Sequence, residues 1–240
     1  MGSVGMMSSE RVGADLDPGS AVAGPVAVPK PLLRGWLHLV CFFLALPAAA
    51  VVVGVADTPR GQAAAFVYGS GLVALFGVSG SYHRGRWCDA KRRLMQRLDH
   101  GTIFVMIAGS YTPLCVLALR GWLAWALLVT VWAGAAAGFV LAFLSGRGVR
   151  IARGALYIVL GWLSVLAGPQ LVEQLSVAQL ALIAAGGLLF TIGAIFLATR
   201  WPDPFPRVFG YHEVWHVLVV AAVVCHFVAI ATVVSSPPTG

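Results

Sequence analysis

Two histidines four residues apart, in the stretch 211-YHEVWHVLVV-220, are the residues of this chain whose spacing most clearly allows chemistry. At 3.6 residues per turn, positions i and i+4 lie about 40° apart on one helix face, so His212 and His216 can reach one metal ion. With Glu213 between them, the letters also match HExxH, in which zinc peptidases use the glutamate as a general base. That pattern fixes only three positions, so the interpretation depends on the rest of the chain.

The rest of the chain is too apolar for an ordinary soluble domain. Only 10% of its 240 residues are charged, against about 25% in a typical globular protein. Long apolar stretches recur, each near the roughly 20 residues that a helix needs to cross a bilayer. They cover residues 33–55, 62–83, 99–119, 121–144, 154–172, 177–199 and 211–234. Because a backbone in lipid must satisfy its own hydrogen bonds, we predict an all-α, multi-pass protein with seven transmembrane helices.

The distribution of positive charge predicts the orientation of these helices. If the N-terminus is cytoplasmic, 14 of the 16 lysines and arginines fall on the cytoplasmic side, and only Arg60 and Arg120 fall on the other. Positive residues favour the cytoplasmic side, so we expect a cytoplasmic N-terminus and an external C-terminus in the plasma membrane. This one-sided placement also favours contact with membrane lipid headgroups over nucleic-acid binding as the reason for the net charge of +7.

The ends of the chain and its cysteines add little chemistry. Residues 1–30 are rich in small residues and proline and predict a disordered tail, followed by a seven-helix domain over 31–235 and a short tail over 236–240. The four cysteines form no CxxC pair, and three of them lie within spans. This arrangement does not indicate a disulfide framework.

Histidines gather at one predicted depth of the membrane. Ionisable groups at membrane depth are costly, so each is a functional candidate. Five of the six fall at the predicted cytoplasmic ends of spans, namely His38, His83, His100, His212 and His216. Catalytic zinc sites typically take three protein ligands and keep a position for water, so His83 is the natural third ligand beside the pair in the last span. Three neutral imidazoles favour zinc among the common divalent ions.

Two further residues are candidates for catalysis at this depth. Asp99 opens the third predicted span and could accept a proton from a water molecule. Its alternative roles are to pair with Arg97 or to cap the third helix. Ser79 lies one turn before His83 and could orient its ring or contact the same water, although a bond to its own helix backbone is the alternative. His100 points about 100° away from Asp99 and is only a reserve ligand.

Three segments of the chain form a distinctive combination, namely 79-SGSYH-83, 98-LDHGTIFVMIAGSYTP-113 and 210-GYHEVWHVLVV-220. They resemble the signature blocks of the hemolysin III family, which belongs to the group containing the progestin and adipoQ receptors. The resemblance runs from about residue 30 to 234. It implies a metal site formed by His83, His212 and His216 with Asp99 nearby. It also implies that the residues inside HxxxH vary, which makes Glu213 incidental to the pattern.

The first span departs from this resemblance. Relatives often carry a glutamate seven residues before the histidine of the first span, and an asparagine between the two. Here that histidine is His38 and the corresponding position is Pro31, followed by Arg34 and Gly35. We therefore do not assign His38 to the metal and expect an interfacial or supporting role.

These features lead to a functional expectation with open alternatives. The first is a zinc-dependent hydrolase acting on a lipid amide or ester, which the wider resemblance to ceramidase-like enzymes supports by analogy. The second is a pore-forming cytolysin, as the family name implies, although apolar helices without a polar stripe make a poor channel. The third is a sensor of the membrane state in which zinc is only structural. Peptidase activity is the least favoured, and the sequence does not define an oligomeric state.

Overall fold

The computed structural model describes residues 30–237, and helices make up most of them. The helices are α1 (Trp36–Gly54), α2 (Pro59–Arg84), α3 (Asp89–Pro113), α4 (Gly121–Phe143), α5 (Arg147–Trp162), α6 (Gly168–Gln174), α7 (Val177–Thr199) and α8 (Tyr211–Ser235). A π-helical turn, Leu114–Ala118, extends α3, and a 3-10 turn, Leu163–Ala167, joins α5 to α6. Most of the predicted tails, residues 1–29 and 238–240, lies outside the described residues.

Seven of these helical stretches are long and apolar enough to cross a membrane, as predicted, with α5 and α6 together forming the fifth. Their outer surfaces carry many exposed large apolar side chains, including Phe43, Trp122 and Val177. Soluble monomers rarely expose apolar patches of this extent. The all-helical, membrane-spanning architecture is therefore confirmed.

Two helices begin at least seven residues earlier than the hydropathy pattern predicts. The third begins at Asp89 rather than at 99, and the fifth begins at Arg147 rather than at 154. Their added turns are rich in arginine and also hold Lys91, Leu94 and Met95. These residue types favour helix as strongly as most apolar residues do. Hydropathy marks the part of a helix that is apolar, so it misses polar turns that continue the same helix.

One end of the bundle gathers the polar residues of interest. It is formed by the beginnings of α1, α3 and α8 and by the end of α2, and we call it the arginine-rich end. Helix α8 packs against α1, α2, α3 and α7, and α3 is the most enclosed span. Glycine allows α1 and α2 to approach closely, because a Cβ atom on Gly80 would lie 3.0 Å from the Cα of Leu39. The four helices that carry the candidate residues therefore meet at one end.

The block 109-GSYTP-113 packs α3 against the fifth span. The helix continues past Pro113 as a π-helical turn, in keeping with the backbone bond that proline cannot make. Tyr111 donates its hydroxyl hydrogen to the carbonyl of Leu160 at 2.8 Å and accepts the N–H of Ser164 at 2.8 Å. This block thus ties α3 to the break in the fifth span, away from the arginine-rich end.

Candidate metal centre

Three histidines from two helices meet at the arginine-rich end. Each of His83, His212 and His216 offers one ring nitrogen, and the three nitrogens lie within 4.8 Å of one another. His83 ends α2, whereas the other two occupy the first turns of α8. The side chain of His83 is only 6% exposed, and His216 is buried. The structure therefore brings together the three residues that the sequence selected as ligands.

The spacing of two of these nitrogens matches a tetrahedral metal site. His83 Nε2 and His212 Nε2 are 3.2 Å apart. Zn–N bonds of about 2.0–2.1 Å at a tetrahedral angle would separate two ligand nitrogens by about 3.3–3.4 Å. His212 and His216 lie one turn apart with ring centroids separated by 4.6 Å. The cluster thus has three imidazole donors close enough together to hold a metal ion.

The first turn of α8 is held by side chains at its start. Glu213 accepts the backbone N–H of Gly210 through Oε2 at 2.9 Å, and Asp203 accepts the N–H of Tyr211 through Oδ1 at 2.9 Å. These bonds satisfy two of the free N–H groups that begin a helix. Carboxylates also interact favourably with the positive end of the helix dipole. Both effects fix the turn from which His212 extends.

Helix α1 begins directly against His83. Gly35 adopts a left-handed conformation with φ of 79°, which glycine tolerates far better than other residues. A Cβ atom at this position would lie 2.3 Å from the Cβ of His83, an impossible approach. The absence of a side chain at Gly35 therefore allows the chain to cover the ligand and then enter α1.

Asp99 lies inside α3, beside the histidines. Its Oδ2 is 3.9 Å from His83 Nε2, too long for a hydrogen bond but within reach of a group held between them. The alternative that Asp99 caps the third helix is wrong, because that helix begins at Asp89. The neighbouring His100 does not belong to the three-histidine group found among residues 30–237, and its carbonyl accepts the hydroxyl of Tyr157 at 2.8 Å.

Ser79 contacts a histidine that the sequence did not connect with it. Its hydroxyl lies 2.9 Å from His38 Nδ1, whereas the sequence suggested a contact with the His83 ring, with a water molecule or with its own helix backbone. His38 is buried, and its ring stacks on that of His216 with centroids 3.8 Å apart. Sequence reasoning placed His38 at the right depth but did not find this contact. The sequence did contain a signal for this contact, because His38 and the histidines of α8 share the same predicted depth at one end of the bundle.

Glu213 is a structural residue rather than an incidental one. Arg34 donates to its Oε1, and the pair is largely buried. The N–H of Gly210 occupies its Oε2. Both oxygens of the residue that a peptidase would use as a general base are therefore already bonded. Glu213, incidental to the HxxxH pattern, therefore has a structural role here, and these contacts argue against the peptidase interpretation.

A bundle of seven membrane-spanning helices with three histidines gathered at one end defines a class of polytopic membrane proteins with a candidate metal centre. The family model described as "Haemolysin-III related" matches residues 26–227. The chain therefore belongs to the haemolysin-III-related family, as its three sequence blocks predicted.

Relatives from bacteria and animals are similar over most of the chain. Hemolysin-3 of Bacillus cereus is 31% identical over 198 residues, covering 80% of this chain and 86% of that protein. Monocyte to macrophage differentiation factor of Homo sapiens is 28% identical over 204 residues, covering 82% of each chain. The hemolysin-3 homolog of Bacillus subtilis (strain 168) is 35% identical over 127 residues, which cover 53% of this chain and 57% of that one.

Proposed function

We propose that this protein is a zinc-dependent hydrolase of the plasma membrane that cleaves an amide or ester bond in a lipid. The observation that carries the proposal is the group of three histidine nitrogens within 4.8 Å of one another, next to the Asp99 carboxylate. Structural zinc sites usually have four protein ligands, whereas catalytic sites have three and keep one position open. Three imidazoles with a nearby carboxylate fit the catalytic arrangement.

Each residue of the site would have its own role in hydrolysis. His83, His212 and His216 would hold the ion. When bound, zinc polarises a carbonyl group and lowers the pKa of water towards about 7. Asp99 would accept a proton from the attacking water and deliver it to the leaving nitrogen or oxygen as the single bond between that atom and the carbonyl carbon breaks. Ser79, assigned to catalysis from the sequence, would support the site through its contact with His38, and its hydroxyl can still form a second hydrogen bond because it is both a donor and an acceptor.

A lipid is the substrate class that best fits the surroundings of the site. The histidines lie at the end of a bundle whose outer surface is apolar and carries exposed side chains such as Trp36 and Val40 near the same end. An amphiphile in the bilayer would place its polar linkage at the depth of the site and its chains along this surface. Membrane lipids are therefore the proposed partners.

Replacing Asp99 by asparagine tests the hydrolase directly. Asp99→Asn keeps the shape of the side chain but removes its basicity, so lipid hydrolysis should fall about 10²- to 10⁴-fold while zinc content stays near that of the wild type. The measurement is fatty-acid release from a fluorescent N-acyl sphingoid amide and a fluorescent acyl ester, with zinc determined by elemental analysis. Glu173→Gln, at an exposed acid near the other end of the bundle, is the matched control and should change neither quantity.

The outcomes of this experiment separate the enzyme from the sensor. Full activity in Asp99→Asn would remove Asp99 from the mechanism. A wild-type protein that binds zinc and releases no fatty acid from either lipid would contradict the hydrolase and support a membrane-state sensor with structural zinc.

The names of two relatives favour a second candidate function, a pore-forming cytolysin. Both bacterial relatives are called hemolysin-3 or its homolog. Among the described residues, the buried polar side chains do not line a path along the bundle, and most lie at the arginine-rich end. They are His38, Ser79, Thr102, Thr112, Glu213 and His216. Release of a trapped dye from liposomes containing the purified protein would support the pore, and intact liposomes would exclude it under those conditions.

The proposed orientation places the N-terminus and the metal centre on the cytoplasmic side. Cys88 is exposed between α2 and α3 at the arginine-rich end, whereas Cys41 and Cys115 are buried. A membrane-impermeant maleimide should therefore label Cys88 only after intact cells are permeabilised. In the control variant Cys88→Ser/Asp57→Cys, the new thiol lies in the α1–α2 loop and should react in intact cells. Labelling of Cys88 in intact cells would reverse the proposed orientation.

A further inference from the structure

His38 is enclosed between two rings at the arginine-rich end. It is 3% exposed. Its ring lies nearly parallel to that of His216, with centroids 3.8 Å apart and an angle of 13° between the planes. Phe76 approaches it edge-on, with centroids 5.1 Å apart. The edge-on contact with Phe76 is a favoured geometry of aromatic pairs, and the close stack holds the two imidazole planes nearly parallel. A ring held this way limits the orientations available to the His216 ring beside it.

A hydrogen bond fixes the rotation of His38 itself. Its Nδ1 lies 2.9 Å from the hydroxyl of Ser79, which is also buried. Ser79 is one helical turn before His83 on α2. The ring of His38 therefore connects three helices. From α1 it contacts Ser79 of α2, the helix that carries His83, and it stacks on His216 of α8.

The same geometry excludes His38 as a ligand of the ion that His216 would hold. The lone pair of an imidazole nitrogen lies in the plane of its ring. An ion bound in the plane of the His216 ring would lie well outside the nearly parallel plane of His38. His38 can therefore support a ligand but cannot join it on the same ion.

The hydrogen bond of His38 indicates that the residue does more than fill space. Burying an imidazole costs more free energy than burying an apolar ring of similar shape. An apolar ring would stack on His216 without this cost. The feature that such a ring would lack is the bond from Nδ1 to Ser79.

We propose that His38 is a positioning residue, held by Ser79, that keeps the ring of His216 in the orientation needed to bind the metal. This inference rests on the proposed zinc site and deepens it. Partners that orient a metal ligand typically contribute 10- to 100-fold to metal affinity. Removing His38 or its bond to Ser79 should therefore weaken zinc binding within about that range without abolishing it.

The test is a zinc-affinity measurement by chelator competition on the full-length protein in detergent, with Co²⁺ absorption spectra as a second readout. His38→Phe keeps a stacking ring but loses the bond to Ser79, and Ser79→Ala loses the same bond from the other side. Each should weaken zinc binding roughly 10-fold and shift the Co²⁺ bands. The double variant should be no weaker than the weaker single variant, since both remove one shared interaction.

Further variants distinguish a positioning role of His38 from an effect on the stability of the whole protein. Cys41→Ala alters another buried residue of α1 and should leave the affinity and the Co²⁺ spectrum unchanged. His38→Ala loses both the stack and the bond, so it should bind zinc more weakly than His38→Phe. Thermal unfolding of the metal-free proteins should rank these variants differently from their zinc affinities.

Three results would overturn the inference. Wild-type affinity and an unchanged Co²⁺ spectrum in His38→Phe and Ser79→Ala would leave the zinc site standing without a role for His38. Additive losses in the double variant would show that the two residues act separately. Loss of affinity in proportion to the loss of metal-free stability would make His38 a structural residue only. Failure of the wild type to bind any zinc would contradict the proposed function instead, before these variants are compared.

Discussion

His83→Ala is expected to reduce the protein from about one zinc ion per chain to almost none. His83 is the only member of the three-histidine group on α2, so its loss leaves just the two histidines of α8. Changes to residues that only support a ligand cost 10- to 100-fold in affinity, so removing a ligand itself should cost more than about 100-fold. Elemental analysis of detergent-purified protein, prepared without chelators, measures this directly.

The control for this variant removes a histidine elsewhere in the same fold. His226 lies on α8, outside the three-histidine group, and its Nε2–H donates to the carbonyl of Ile183 at 3.2 Å. His226→Ala should therefore keep its zinc, even if it loses some stability. Retention of a full equivalent by His83→Ala would disprove a site shared by α2 and α8. A wild-type protein without zinc would disprove the metal centre altogether.

The fold could be predicted well from the sequence because a bilayer imposes strong constraints. Apolar length identifies spanning helices, and all seven appear in the structure. The errors lie at helix ends, as at Asp89 and Arg147, where charged turns continue a helix beyond its apolar part. Hydropathy describes the solvent that a segment prefers, whereas helix ends depend on local hydrogen bonds and propensity.

The metal centre was predictable only for the residues whose position follows from helix geometry. The spacing of His212 and His216, and the shared depth of His83, depend on helix periodicity and topology alone. The contacts of His38 with His216 and of Ser79 with His38 depend on how α1, α2 and α8 pack, which spacing within one helix cannot show. For the same reason, the sequence did not reveal the partner of Glu213, which lies 179 positions away along the chain.

Glu213→Gln is expected to destabilise the protein by about 3 kcal/mol, since breaking a buried ion pair leaves an uncompensated charge. The value is at the lower end of the usual range because the Arg34 side chain remains 19% exposed. For a chain of this length, that loss should lower the unfolding midpoint by about 6–12 °C. Thermal unfolding of the metal-free protein in detergent measures the effect without a contribution from bound zinc.

The Arg34–Glu213 ion pair should help to hold the segment before α1 against the start of α8. The segment before α1 also bonds to the loop between α7 and α8, through Leu32 N–H to the carbonyl of Arg207 at 3.0 Å and Leu33 N–H to that of Val208 at 3.1 Å. Loss of the Arg34–Glu213 contact would therefore weaken the attachment of α1 to α8. Because Glu213 also accepts the N–H of Gly210, the first turn of α8 loses part of its cap in the same variant.

A double variant separates the ion pair from the helix cap. If the main cost is an unpaired charge, Arg34→Gln/Glu213→Gln should be more stable than Glu213→Gln alone, since neither charge then remains unmatched. Asp57→Asn, at an exposed acid in the α1–α2 loop, should stay within about 0.5 kcal/mol of the wild type. A double variant as unstable as the sum of the two single variants would show that the two residues contribute independently. The attachment of the segment before α1 would then depend on its backbone hydrogen bonds to the α7–α8 loop, and not on the buried Arg34–Glu213 pair.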